Sequence, residues 1–361
     1  MIIGTNSRDL TTGLLIRLMS CLLVAMSLVL SSTVKAELLS SSHWQPDILD
    51  GFEDKTFTFS DDYDGPVTAH LIRKLAEQPS KKAVLYVHGF VDYFFQEELA
   101  ERFNQQGFNF YAIDLRKHGR SLMAHQHPNF MFSVTEFYED LDAAIDVIRN
   151  EDGNEKVLLN AHSTGGLITA LYVQDNKENS PVDAIIYNGP FFDINDAFIN
   201  ISSRYLIPSV LKTIANAKPF GATGMSVPVQ YGQSLHVTER GEWNYDLNLK
   251  PVHSFPIYWG WLKGIIEAQQ RLQKGLELPV PVMVMYSSGS STPLFSFWND
   301  KFFETDVVLD VSDIDRLSDV LGSHVTEIKI DGAVHDVFLS KEAVRNQAYH
   351  LMLQWANAYV Q

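Results

Sequence analysis

Ser163 stands where one apolar run ends and another of helical character begins, in KVLLNAHSTGGLITALYV, Lys156 to Val173. Ala161 lies two residues before it and Gly165 two after. Small residues at those positions permit a very tight strand-to-helix turn that strains the serine backbone and exposes its hydroxyl. Backbone N–H groups at the start of the helix can then stabilise a nearby oxyanion. Such a hydroxyl becomes a nucleophile once a base takes its proton. The competing reading is a serine that only N-caps a helix among small packing residues. Late in the chain, VTEIKIDGAVHDVFLS sets His335 after a strand and a Gly turn, ahead of a helical C-terminus. An imidazole there can accept the serine proton and deliver it to a leaving group. His324 precedes a strand and His350 sits on the last helix, both poorer settings for a base.

A third group should bond the far nitrogen of His335 and fix its tautomer. It belongs shortly after the strand VPVMVMYSS, but GSSTPLFSFWNDKFFET intervenes before DVVLDVSDIDRLSDVLG. Asp306, at the head of that last segment, is the preferred acid; Asp310 comes next and Asp300 is a distant third. The remaining histidines fit supporting roles. His88 lies too early in the chain for the base and reads as a brace for its loop. In YAIDLRKHGRS, Asp114, Arg116 and Gly119 fix a loop through local hydrogen bonds, with His118 given no direct part. His125 and His127, in AHQHP, have no nearby carboxylate or cysteine pattern for a metal and read as surface loop.

The elements that must position these residues alternate. The strand candidates are KTFTFS, KAVLYVHG, NFYAIDLR, KVLLNAHS, DAIIYNGP, VPVMVMYSS and HVTEIKIDG. Between them run helical patterns: FFQEELAERFNQQG, SVTEFYEDLDAAIDVIRNE, GGLITALYVQDNK and, at the end, KEAVRNQAYHLMLQWANAYV. Strands apolar nearly throughout, alternating with helices, predict a mostly parallel sheet covered on both faces. The rhythm fails from about Asn195 to Ala268, a stretch rich in aromatics and prolines. An insertion after DAIIYNGPFFD would sit over the carboxyl ends of the strands, where such sheets bind ligands. The expected division is a leader at 1–36, core at 37–194 and 269–361, and a cap insertion at 195–268.

Taken together, VHGF, DLRKHGRS, AHSTGGL, the Asp306 segment and GAVHD resemble the α/β-hydrolase superfamily. They look most like bacterial lysophospholipases and monoacylglycerol lipases, often grouped with serine aminopeptidases; the resemblance covers roughly Val67 to the C-terminus. Ala161 replaces the usual first Gly of the serine motif, and the insertion before Asp306 is a larger departure. The resemblance implies an α/β-hydrolase fold with a cap over the site, an acyl-serine intermediate and no cofactor; no metal is expected from the residue pattern either. It also implies that the Phe90 and Thr164 N–H groups form the oxyanion hole.

The 361 residues suffice for one large domain with an insertion. A net charge of −16, without clustered Lys and Arg, disfavours nucleic acid. Arg17, the run LMSCLLVAMSLVL and the small residues Val34 and Ala36 read as an export signal, cleaved near Ala36–Glu37. The exported chain would be periplasmic or secreted, or anchored if the leader stays. Cys21, the single cysteine, falls inside that leader, which leaves the exported chain without disulfides. For the substrate, the apolar cap residues Phe198, Ile201, Tyr205, Leu206, Phe255, Tyr258, Trp259 and Trp261, with Phe94 and Phe95, suit an acyl ester or lipid. Such a cap could also touch a membrane peripherally. Peptidase action is the second reading and requires a carboxylate for a free amine, with Glu239, Glu242 and Asp246 available. Acyl transfer to an acceptor other than water also remains open. A binding protein on an inactive hydrolase fold is the reading from a different class.

Overall fold

The computed structural model describes residues 38–194, 211–293 and 297–361. The expected leader with Cys21, and the cap positions Phe198, Ile201, Tyr205 and Leu206, lie outside them. Among the described residues a single sheet contains ten strands. These are β1 (Leu38–Ser41), β2 (Gln45–Pro46), β3 (Glu53–Asp62), β4 (Gly65–Lys74), β5 (Lys82–Val87), β6 (Asn109–Asp114), β7 (Lys156–His162), β8 (Ala184–Asn188), β9 (Val282–Ser287) and β10 (Val325–Ile330). The spatial order is β1-β3-β4-β6-β5-β7-β8-β9-β10, with β2 paired to β3. From β6 through β10 the pairing is parallel; β1, β3 and β4 run antiparallel to their neighbours. The mostly parallel α/β sheet expected from the strand runs is present.

The central strands explain themselves. Every residue of β6, β8 and β9 is buried, and all but the first of β5 and β7. Side chains point alternately to the two faces of a strand, so burial of both parities requires cover on both sides. β4 was not among the expected strands. Its sequence GPVTAHLIRK alternates buried with half-buried positions, and its polar residues find local partners. His70 bonds Asp54 of β3 at 2.9 Å, and the Arg73 guanidinium lies 3.8 Å from the centre of the Trp44 ring. A search for continuous apolar runs passes over such a strand, although the period of two is there.

Helices α1 (Glu97–Gln105) and α7 (Glu342–Tyr359) cover one face. α7 buries Ala348, Tyr349, Met352, Trp355 and Ala356, the i, i+1, i+4, i+7, i+8 stripe of an amphipathic helix. The helical pattern expected from Phe94 begins only at Glu97, because Phe94 turns into this core against Phe52, Tyr86 and Phe110. On the other face, the stretch from Ser133 to Glu151 forms a 3-10 turn, α2 (Tyr138–Asp146) and a π-helical end at Val147–Glu151. A capping box between Ser133 and Glu136 starts it. α3 (Thr164–Asp175), apolar all round, is buried from Thr164 to Val173.

Between β8 and β9 lie a helix at 211–217, α4 (Val229–Leu235) and α5 (Trp259–Leu272). α5 packs on α3 and passes through residue 268 without a break, so the position read as the end of the insertion falls inside a continuous helix. α6 (Val311–Ser318) joins β9 to β10. Among the described residues no helix is long and apolar enough to cross a membrane.

Candidate active site

β5 has β6 on one side and β7 on the other, and the connections that leave the two sides diverge there. A crevice opens at the carboxyl ends of the strands at such a switch point. Ser163 occupies it, one residue beyond β7. Its φ of 52° and ψ of −118° lie where L-residues are rarely found. The conformation is imposed from several sides. The Ser163 N–H donates to the Asn188 carbonyl at 3.1 Å, and its own carbonyl accepts from Gly166 and Phe191. A Cβ at Gly165 would stand 2.5 Å from the His88 carbonyl oxygen, so the second small residue of the motif is required. The same distance shows how closely the loop after β5 passes the turn.

His335 Nε2 lies 2.9 Å from Ser163 Oγ, and His335 Nδ1 lies 2.8 Å from Asp306 Oδ2. A carboxylate oxygen only accepts, so Nδ1 carries the proton and Nε2 turns a lone pair to the serine. Asp306 Oδ1 accepts from the Val308 and Leu309 N–H groups at 2.7 and 2.8 Å, so the carboxylate cannot rotate freely. All three side chains are buried. Asp310 instead N-caps α6 through Ser312, and Asp300 accepts from the Trp298 indole. Neither bonds His335.

The long intervening segment does not displace Asp306 from the end of the sheet. A backbone bridge pairs Asp306 with Ser290, and the Asp306 N–H donates to Gly289 O at 2.9 Å. Asp306 therefore sits at the end of β9 in space, though not in sequence.

Phe90 and Thr164 both border the cavity beside Ser163. Thr164 opens α3, so its N–H lacks an intrahelical acceptor; among the described residues no hydrogen bond uses the Phe90 N–H either. Of the supporting residues, His88 braces two loops, with Nδ1 donating to the Gly89 carbonyl and Nε2 accepting from the Leu115 N–H. Asp114 bonds the Phe94 N–H and the Arg120 guanidinium, and Arg116 pairs with Asp140. His127 pairs with Asp64 and stacks on Phe220. Among the described residues no group of three or more His, Cys, Asp or Glu is placed to hold a metal.

His118 is buried, with Nδ1 donating to the Arg116 carbonyl. Burial first, then the neighbouring His88, push its pKa down from 6.5 to about 3. The folded protein thus refuses a proton that the unfolded chain accepts, and stability should fall as pH drops from about 6.5 towards 3. Melting temperature against pH for wild type and His118→Asn checks this: the variant should lose less over that window, and parallel curves would refute it.

Three contributors escaped sequence reasoning. Asn188 ends β8 and holds the histidine loop: its Nδ2 donates to Asp336 Oδ1 at 2.6 Å and its Oδ1 accepts from the Val337 N–H at 3.0 Å. A polar residue closing the apolar run AIIYN was the available signal. Gly189, at φ 52°, lies so close that a Cβ would meet the His335 carbonyl oxygen at 2.3 Å. The buried pair Lys250–Asp92, at 2.5 Å, joins residues 158 apart and had no local signal. Burial alone would raise the Asp92 pKa; Lys250 outweighs it, helped by His162 and His88, and holds the carboxyl below its ordinary value.

The cavity over Ser163 measures about 500 Å³. Met225, Val227, Val252, Ile257, Trp261 and Leu262 give it an apolar wall. Of the aromatic residues expected to line it, Trp261 does. Phe94 and Phe95 do not, since they pack into the core and against Tyr245. Phe255, Tyr258 and Trp259 also lie off the lining, and Tyr258 packs on Phe130 and His127.

A parallel sheet with its switch point at a strained serine, and a histidine and aspartate following in chain order, defines an α/β hydrolase. Residues 78–291 match the family described as serine aminopeptidase, S33, and the chain belongs to that family. The match ends before Asp306 and His335. The chain is 24% identical to the monoacylglycerol lipase of Mycolicibacterium smegmatis over 72% of this chain and 82% of that one. It is 22% identical to lysophospholipase L2 of Escherichia coli over 85% and 88% respectively. Among solved structures, a soluble variant of the Saccharomyces cerevisiae monoglyceride lipase, in complex with a substrate analogue, superposes with a TM-score of 0.62 at 16% identity, covering 91% of this chain and 97% of that one. The Paleococcus ferrophilus monoacylglycerol lipase gives 0.58 at 18% identity, over 80% and 99%. At such identities the structural likeness is one of fold.

Proposed function

We propose that this chain hydrolyses carboxylic esters of lipid acyl chains, of the monoacylglycerol or lysophospholipid kind, with Ser163, His335 and Asp306 as catalytic residues. The observation that carries this reading is the unbroken hydrogen-bonded chain from Asp306 through His335 to Ser163, opening on a mostly apolar cavity. Ser163 Oγ attacks the ester carbonyl carbon as its proton passes to His335 Nε2. The Phe90 and Thr164 N–H groups receive the oxyanion. Collapse expels the alkoxide, which takes the proton from His335, and water then releases the acid by the same route. Asp306 holds the imidazole and stabilises its charged form throughout.

Peptide cleavage draws less support. Glu239, Glu242 and Asp246 do not line the cavity, and among the described residues the carboxylate that does, Asp92, is already paired with Lys250. The segment between β8 and β9 acts in this reading as a cap, which would meet a lipid surface when substrate enters. Residues 1–36 would direct export to the periplasm or medium; Arg17, the apolar run after it and the small residues Val34 and Ala36 support this reading. Mass spectrometry of the exported protein should find its N-terminus near Glu37, whereas an intact leader would mean anchoring.

Fluorophosphonate labelling, followed by a p-nitrophenyl ester series of increasing chain length, tests the main reading. Labelling together with a preference for medium over acetyl chains is expected. An unlabelled, well-folded protein would sink it, and preference for aminoacyl amides would move it to peptidases.

A further inference from the structure

The segment Phe90-Val91-Asp92-Tyr93 carries one of the two proposed oxyanion donors and is oddly supported. On its N-terminal side the loop is anchored to the core by His88, and on its C-terminal side by the Phe94 N–H on Asp114 and the Phe94 carbonyl on Arg120. Between those anchors, among the described residues, the side-chain hydrogen bonds of residues 90–93 all run to the segment between β8 and β9, while Phe90 and Val91 form a local backbone turn. The Lys250 ammonium donates to Asp92 Oδ1 at 2.5 Å, and the Asp246 N–H donates to the Tyr93 hydroxyl at 2.9 Å. The Phe90 ring packs on Trp261 of the same segment, with centroids 4.4 Å apart.

Val91 sits inside this span at φ 51°. A β-branched residue there is a genuine outlier, and such strain persists only where the surroundings over-determine it. Left to itself, the chain at Val91 would relax to negative φ and rotate the Phe90–Val91 peptide; the Phe90 N–H, one peptide earlier, would then shift as the Phe90 φ and ψ readjust. Two restraints flank the strained residue, the Phe90 ring on Trp261 and the Asp92 carboxylate, and only the second is ionic. Its ionic partner is nearly sealed from water and lies 5.2 to 5.8 Å from the ring centres of Phe95, Tyr245 and Tyr231. An ammonium so enclosed has little freedom to let go of its carboxylate.

We infer that Lys250, acting through Asp92, is a positioning residue that holds the strained Val91 turn and so keeps the Phe90 N–H aimed at the oxyanion. This rests on the ester-hydrolase reading above. The cap is then part of the catalytic geometry as well as a wall of the cavity, because its Lys250 side chain completes the loop beside the serine. A misplacement of about 1 Å in such a site costs on the order of 10²-fold in rate.

The test uses the full chain and a p-nitrophenyl ester. Lys250→Met alone would leave a buried unpaired carboxylate and threatens folding, so the principal variant is Lys250→Met with Asp92→Asn, which removes both charges. Its kcat should fall roughly 10- to 100-fold with KM within about twofold of wild type. Adding Val91→Gly, which accepts positive φ without strain, should restore most of the lost kcat, although it returns neither charge. An equal loss in the Val91 and Val91→Gly backgrounds would overturn the inference. So would a raised KM with unchanged kcat, which would make the pair a substrate contact. A wild type that hydrolyses no ester would remove the proposed function and this inference with it; an active wild type lacking the loss and its rescue would remove this inference alone.

Discussion

Ser163→Ala should abolish ester turnover, lowering kcat by about 10⁴- to 10⁶-fold, and should erase fluorophosphonate labelling without disturbing the fold. The reason lies in what surrounds the hydroxyl. His335 Nε2 faces Oγ directly, and removing Oγ leaves a base with nothing to activate. The backbone makes a second, opposite prediction for stability. Alanine retains the conflict between its Cβ and a φ of 52°, whereas glycine does not. Ser163→Gly should therefore be as inactive as Ser163→Ala yet more stable than it, by roughly 1 kcal/mol after the extra unfolded-state entropy of glycine is subtracted. Thermal melts of the two variants side by side measure the difference. Equal melting temperatures would mean that the turn stores no strain, and residual turnover in both would mean that another group is the nucleophile.

Asp306→Asn should be nearly as damaging, and its mechanism can be specified in advance. The Val308 and Leu309 N–H groups both point at Oδ1 and demand an oxygen there. An asparagine will place its carbonyl on them and turn its NH₂ towards His335 Nδ1. The imidazole must then carry its proton on Nε2, pointing a hydrogen at Ser163 when a lone pair is needed. A loss of about 10⁴-fold in kcat with little change in KM is expected. Asp310→Asn should leave the rate alone, since asparagine caps a helix as well as aspartate. Asp310→Ala should cost about 1 kcal/mol of stability for the lost cap, again without a rate effect. Kinetics and melts of the three variants decide between the two carboxylates. A larger rate loss at Asp310 than at Asp306 would reverse the assignment.

These residues differed in how much of their setting could be read from the sequence. Ser163 and His335 sit in turns whose small neighbours and flanking strands are contiguous in the chain, so local pattern sufficed. Asp306 did not, because closeness to His335 comes from the Ser290–Asp306 bridge, which closes an excursion whose length gives no hint of where it returns. The central strands were legible because burial on both faces leaves continuous apolar runs. β4 was missed because polar His70 and Arg73, one on each face of the strand, break up its apolar pattern, and their partners lie on β3 and beyond. Asn188 offered only a polar residue at the end of an apolar run, and Asp92 and Lys250 offered no local signal. Each matters through contacts with residues more than a hundred positions away, and no spacing rule encodes those.

Backbone pairing of Asp306 with Gly289, Ser290 and Ser291 holds it beside the end of β9, whatever the length of chain between them. Closing a longer loop adds only about 0.6 kcal/mol per doubling of length. The excursion can thus change in length at little cost while the hydrogen-bonded chain from Asp306 to Ser163 keeps its alignment, provided that Phe302, buried in one cluster with Val307 and Val334, stays in place.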